Sequence, residues 1–214
     1  MKNSFFEQLA LKLQEISETS ALESWPIAPP HRKELVEQAQ LKKDAFRPAA
    51  VMICCYPNEE NQYSFPVIKR QNYKGIHAHQ MGLPGGKPLP GDDTLWHTAL
   101  RECEEELGIQ ASQVRYIGTL SEVYIPPSKF KVTPFVAQLE SKPKFVLEQR
   151  EVAQVYQLSL QTLREQVISY QQMQMADKLV RMPGFQLESQ FIWGATAMML
   201  YEFKEILKAL NEGN

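Results

Sequence analysis

Arg101-Glu102-Cys103-Glu104-Glu105-Glu106-Leu107-Gly108-Ile109 is the stretch on which the reading of this chain turns. Just upstream lies Gly85-Gly86-Lys87-Pro88-Leu89-Pro90-Gly91-Asp92-Asp93, a glycine- and proline-rich loop, and Thr94 to Leu100 joins the two. The pattern predicts a helix starting near Asp92 to Thr94, with either aspartate or the threonine as its cap. It should end at Leu107, with Gly108 taking the left-handed C′ position. At about 100° per residue, Glu105 and Glu106 fall about 60° and 40° either side of Glu102. Three carboxylates then crowd one edge of the helix, while Leu95, Ala99, Cys103 and Leu107 run along the neighbouring face into a core. Like charges at this spacing repel. One reading is a solvated acidic face with Arg101 as counter-charge. The other is a site for a hard divalent cation, Mg²⁺ or Mn²⁺, which prefers oxygen ligands. The loop favours the second. Gly85 and Gly86 let the backbone approach a phosphate or turn a carbonyl toward a metal, and Lys87 can neutralise phosphate charge. A phosphate loop running into a carboxylate helix points to metal-assisted attack of water on phosphorus.

Working outward, Ala49 to Tyr56 is a continuous apolar run of strand length, and Ser64 to Arg70 reads as its return across the turn Pro57 to Asn61. Val114 to Tyr124 and Lys131 to Leu139 read as strands, and Pro134 should place the second at an edge or a bulge. Val152 to Leu158 is a further strand, with Ser159 capping a helix to about Val167. Phe185 to Ile192 alternates, and Trp193 to Leu210 closes the chain as a helix. At the other end, Phe5, Leu9, Leu13 and Ile16 share one face of an amphipathic helix over residues 4 to 17, with Ser4 and Glu7 at capping-box spacing. Such a helix needs a surface to pack on, in the main domain or a second subunit. The order predicts an α+β fold, a mixed sheet sandwiched between helices, preceded by an N-terminal helical arm over 1–46, partly helical around Lys33 to Lys42.

The 214 residues, 43% of them hydrophobic, suffice for a proper core. A net charge of −2 gives no support for a nucleic-acid or anionic-membrane surface. No run approaches the roughly 18 apolar residues of a membrane span, and the opening residues lack the apolar core of a secretory signal. Cys54, Cys55 and Cys103 form no C-x-x-C pair and read as buried thiols, which suits the cytoplasm.

Gly86 through Ile109 resembles the Nudix box: Gly, five residues, Glu, seven residues, then Arg-Glu-apolar-x-Glu-Glu-x-Gly-apolar. The second half is complete from Arg101 to Ile109. In the first half the acid is taken as Asp93, separated from Gly86 by six residues rather than five, so the loop carries one extra residue. That length, with Arg70, His77-Ala78, Gln80 and Pro84-Gly85-Gly86 upstream, resembles the coenzyme A pyrophosphatase branch of the family. Val132-Thr133-Pro134, Glu151-Val152 and Trp193-Gly194-Ala195-Thr196-Ala197 resemble further motifs of that branch. His79 stands where the branch has Gly, and Lys74-Gly75 where it has Leu-Arg.

The resemblance implies a Nudix hydrolase domain over 47–214. It implies that Glu102, Glu105, Glu106 and the Gly86 carbonyl hold Mg²⁺ or Mn²⁺, and that Arg101 orients a carboxylate. Glu151 is nominated as catalytic base or extra ligand, with Glu148 and Glu102 as alternatives. Arg70, His77, Gln80 and Lys87 are the candidate contacts to a small nucleotide substrate. The implied reaction is hydrolysis of the coenzyme A pyrophosphate to 3′,5′-ADP and 4′-phosphopantetheine. Alternatives are another nucleoside diphosphate derivative, such as ADP-ribose or a dinucleotide cofactor, or a non-catalytic nucleotide-binding regulator. The terminal helices would suit a homodimer and would equally close a monomer.

Overall fold

The computed structural model describes residues 2–16, 25–41, 46–60, 62–71, 80–126, 128–175 and 178–211. His77, with the rest of residues 72–79, lies outside them.

Two strands organise the domain. β1 (Arg47–Pro57) and β2 (Tyr63–Arg70) form the expected hairpin. They pair only at its closed end, Tyr56 with Ser64 and Pro57 with Tyr63. Beyond that they splay, and the next segment fills the gap. β3 (Met81–Gly82) pairs with β2 at Ile68 and Lys69, and β4 (Gly85–Gly86) pairs with β1 at Ala50 and Val51. Only glycine fits at 85, where φ is 148° and a Cβ would stand 2.1 Å from the Ala50 carbonyl oxygen.

β7 (Phe130–Leu139) runs parallel to β1 from Arg47 to Cys55 and antiparallel to β5 (Val114–Thr119) and β6 (Val123–Ile125) on its other side. β8 (Val152–Ser159) pairs with β2. The result is an eight-stranded mixed sheet flanked by helices, as the α+β reading expects. β1 is buried on both faces. Ala49, Ile53 and Cys55 join one core cluster and Ala50, Met52, Cys54 and Tyr56 another, the period-2 alternation of a strand. The three thiols are buried and free, and burial pushes Cys54 up to about 12.

α1 (Lys2–Ile16) seats Phe6, Leu9 and Leu13 in the first cluster together with Ala197, Met198, Leu200 and Phe203 of α5 (Gly194–Asn211). The apolar faces of these two helices are thus spent within one chain. α1 starts at Lys2, so Ser4 stands inside it rather than capping it. α2 (Arg32–Leu41) precedes β1, and Arg32 donates to the Tyr124 carbonyl. α3 (Leu95–Leu107) covers the second cluster with Ala99, Cys103 and Leu107. α4 (Leu160–Glu165) is capped by Ser159, which accepts from the Thr162 amide.

Three further expectations need correcting. Pro134 lies in the interior of the sheet, not at an edge. Its carbonyl accepts from Leu120, so its nitrogen faces the same side, where β5 has ended at Thr119 and β6 has not begun. The missing N–H falls opposite a break in the partner strand. The same break divides the single strand expected over 114–124; there Glu202 of α5 accepts from the Ser121 amide at 3.0 Å. Residues 169–193 form a separate sheet of β9 (Ser169–Met175), β10 (Lys178–Leu187) and β11 (Gln190–Trp193), of which only the last part was expected. Ser169-Tyr170-Gln171-Gln172-Met173-Gln174-Met175 pairs in register with Lys178 to Gly184, although its polar run gives no hydrophobic alternation.

Candidate active site

The helix that carries the acids is fixed at both ends by local chemistry. Thr94 is the N-cap and accepts from the His97 amide; Gly108 closes the C-terminus at φ 72°, its N–H returning to the carbonyls of Cys103 and Glu104. From its exposed edge the side chains diverge. Glu106 is buried, 1% exposed, whereas Glu105 is 55% exposed.

Glu106 is held by both oxygens. Oε2 accepts from the Gly85 N–H at 2.8 Å, and Oε1 lies 3.4 Å from Arg70 Nη1. Burying an unpaired carboxylate costs several kcal/mol, and these two donors offset part of that. Burial dominates nonetheless and pushes Glu106 up to about 7, with Arg70 and the Gly85 amide pulling the other way and Glu102 and Glu151 adding to the rise. Burial also raises Glu102, against the opposing pull of Arg101.

Arg101 is the second anchor. Its Nε and Nη2 clasp Asp92 at 3.1 and 3.0 Å, and Nη1 donates to Glu102 and Glu105 at 2.9 Å each. Nη2 also reaches the Lys87 carbonyl at 2.9 Å. Asp92 accepts in addition from the Leu89 amide and the Thr98 hydroxyl. These bonds, those from Arg101 first, hold the Asp92 carboxyl down at about 2, and Asp92 in turn raises Arg101. The acid facing the arginine is therefore Asp92 and not Asp93, which is exposed and reaches only to His97 at 3.9 Å. Counted from Gly86, Asp92 follows five residues, so the extra residue falls after the acid. Adjacent aspartates cannot be ranked by spacing when the position of the insertion is open.

Three carboxylates converge. Oxygens of Glu102, Glu106 and Glu151 lie within 4.8 Å of one another. Glu151 stands just before β8, whose Val152 pairs with Arg70. Its loop is tied to the helix C-terminus by hydrogen bonds from the Val146 amide to Leu107 and from the Glu148 amide to Glu106. Glu105, expected in this group, lies outside it and pairs with Arg101. Glu148 turns to its own loop, where Oε1 accepts from the Arg150 amide. Gly86 lies against the cluster, since a Cβ there would stand 2.4 Å from Glu102 Oε1. Lys87 is exposed on the rim, and Gln80 accepts through its carbonyl from the Arg70 amide. Arg70 points inward to Glu106 and the Gly85 carbonyl, a placement that no local spacing could disclose. The donor set, all carboxylate oxygen beside a glycine backbone, suits a hard divalent cation.

This is a carboxylate-lined site at the mouth of a splayed mixed sheet. Residues 46–174 match the NUDIX domain model, and the chain belongs to the Nudix family of hydrolases, enzymes that act on pyrophosphate bonds of small nucleotide substrates with divalent cations. It is 36% identical over 135 residues to the uncharacterized Nudix hydrolase NudL of Yersinia enterocolitica, covering 63% of this chain and 69% of that protein. It is 32% identical over 163 residues to NudL of Yersinia pestis, covering 72% and 76%. Among solved structures, the Nudix hydrolase RenU of M. smegmatis superposes with a TM-score of 0.53 at 18% identity, covering 76% of this chain and 86% of that one. A MutT/nudix family protein from Enterococcus faecalis gives 0.50 at 11% identity, covering 83% and 70%. At these identities the structures speak for the fold alone.

Proposed function

We propose that this hydrolase cleaves the pyrophosphate of coenzyme A or a derivative, releasing 3′,5′-ADP and 4′-phosphopantetheine. The observation that carries the reaction is the convergence of Glu102, Glu106 and Glu151 beside Gly86. These carboxylates, with the Gly86 carbonyl, would hold Mg²⁺ or Mn²⁺, which when bound supplies charge stabilisation at the pyrophosphate and acidifies a water. Glu105 would join as a further ligand from the rim. Glu151 takes a proton from the attacking water, the water oxygen bonds to phosphorus, and the bridging P–O bond breaks, leaving one of the two pyrophosphate phosphorus atoms on each product. Arg101 holds Glu102 and Glu105 in place while Asp92 fixes the guanidinium. Lys87, Gln80 and His77 meet the substrate. The coenzyme A assignment rests on the longer loop and the flanking motifs. We place the reaction in the cytoplasm, where three buried thiols stay reduced. The division into an arm of 1–46 and a catalytic domain of 47–214 belongs to the same proposal. Among the described residues no helix is long and apolar enough to cross a membrane.

Side-by-side incubation with coenzyme A, ADP-ribose and NADH in Mn²⁺ tests this reading. Coenzyme A should lead in kcat/KM by about tenfold or more, the scale of a site built for a substrate's polar groups. Equal turnover of ADP-ribose overturns the substrate and leaves the reaction class standing.

A further inference from the structure

We propose that Arg70 is a positioning residue for Glu106, spent on the inner wall of the site rather than on a substrate phosphate. The inference rests on the metal-site reading above. Arg70 ends β2 at a register shift between Lys69 and Arg70, where the strand passes from Gln154 to Val152 of β8. Its side chain runs past Gly82, where a Cβ would stand 3.5 Å from Nε. Both terminal nitrogens turn inward. Nη1 faces Glu106 Oε1 at 3.4 Å, and Nη2 donates to the Gly85 carbonyl at 3.1 Å. The same residue, Gly85, donates its N–H to Glu106 Oε2. Arginine, carboxylate and Gly85 close a ring in which each partner touches the other two. The ring joins three elements, β2, the Pro84-Gly85-Gly86 turn and α3, and leaves both Glu106 oxygens engaged. The rigid guanidinium fork holds carboxylate and carbonyl in one fixed geometry, which the rotatable donors of an ammonium on a flexible stem do not fix.

Arginine would therefore control how well Glu106 serves a metal, without touching the substrate. Mn²⁺ binding to the full chain without substrate, followed by electron paramagnetic resonance, reads this directly, with thermal melts of the metal-free proteins reporting folding. Arg70→Gln should weaken Mn²⁺ by about tenfold or more, the usual scale for losing a group that orients a ligand. Arg70→Lys, which keeps the charge and the fold but not the fork, should fall between. In a Glu106→Gln background, Arg70→Gln should cost nothing further, because its effect runs through that carboxylate. At saturating Mn²⁺ the substrate KM of Arg70→Lys should stay within about twofold while kcat drops. Unchanged Mn²⁺ binding in Arg70→Lys and Arg70→Gln with a raised KM would make Arg70 a phosphate contact and overturn the inference. Additive losses in the double variant would do the same. A wild-type chain that binds no Mn²⁺ overturns the metal site itself.

Discussion

Glu105 and Glu106 are neighbours in sequence and meet opposite surroundings. Glu106 faces the inner wall, where Arg70 and the Gly85 amide meet it in a closed ring. Glu105 faces the outer rim, where Arg101 gathers Asp92, Glu102 and the Lys87 carbonyl and meets Glu105 at the solvent edge. The inner brace is assembled from three separated segments and buries the Glu106 carboxylate. The outer brace joins residues within eighteen positions of one another, and of its charged side chains Glu105 is the exposed one. An interaction with a buried carboxylate is electrostatically strong and expensive to break; one with an exposed carboxylate is screened.

The contrast is broken or sharpened first at Glu106. Glu106→Gln should lower kcat on the order of 10²–10³-fold, the scale of losing an electrostatic stabiliser of the transition state. An unaltered circular-dichroism spectrum would show that the fold survives, and near-normal turnover would end the inner-wall account. Next comes Glu151 against Glu148. A removed general base costs about 10²-fold or more, so Glu151→Gln should fall that far in a rate assay. Glu148→Gln, whose side chain serves its own turn, should stay within about threefold, and a reversal of the two would exchange their roles. If Glu105 reaches the cation as proposed, from the exposed rim, Glu105→Gln should cost about tenfold. A loss equal to that of Glu106→Gln would erase the distinction between wall and rim.

The smallest effect concerns the rim's stability. Asp92 is held down to about 2 by Arg101, from an ordinary 3.8. A carboxyl depressed in the folded state stabilises above its unfolded value and loses that contribution as pH falls through the folded one. Asp92→Asn should therefore melt below the wild type at pH 6, and the gap should close between about pH 4 and pH 2. A gap that persists at pH 2 would show that the carboxylate charge is not what matters.

What could be read in the sequence divides along the same line. The Gly108 cap, the buried stripe of α3, the hairpin of β1 and β2 and the Ser159 cap are local patterns, and each was visible at its own positions, while Thr94 was one of three candidates for the N-cap. The convergence of Glu102 with Glu151 came through family resemblance, since nothing in their spacing joins them. Arg70 was seen as a basic residue near the loop, but its partner stands 36 positions away. Pro134 was read by the rule for strands with two unbroken neighbours, and the break opposite it is a tertiary fact. β9 escaped notice because its glutamines carry no alternation.

The loop between Gly86 and α3 is pinned at two points, Lys87 and Asp92, by one guanidinium. The surplus residue lies beyond the second pin, before the Thr94 cap. Lengthening a surface loop costs little, since closure entropy grows only with the logarithm of its length. Descendants of such a chain can accept insertions there and reshape the approach to the site while the carboxylates keep their stations. The chemistry and the choice of what enters it are thereby free to evolve at different speeds.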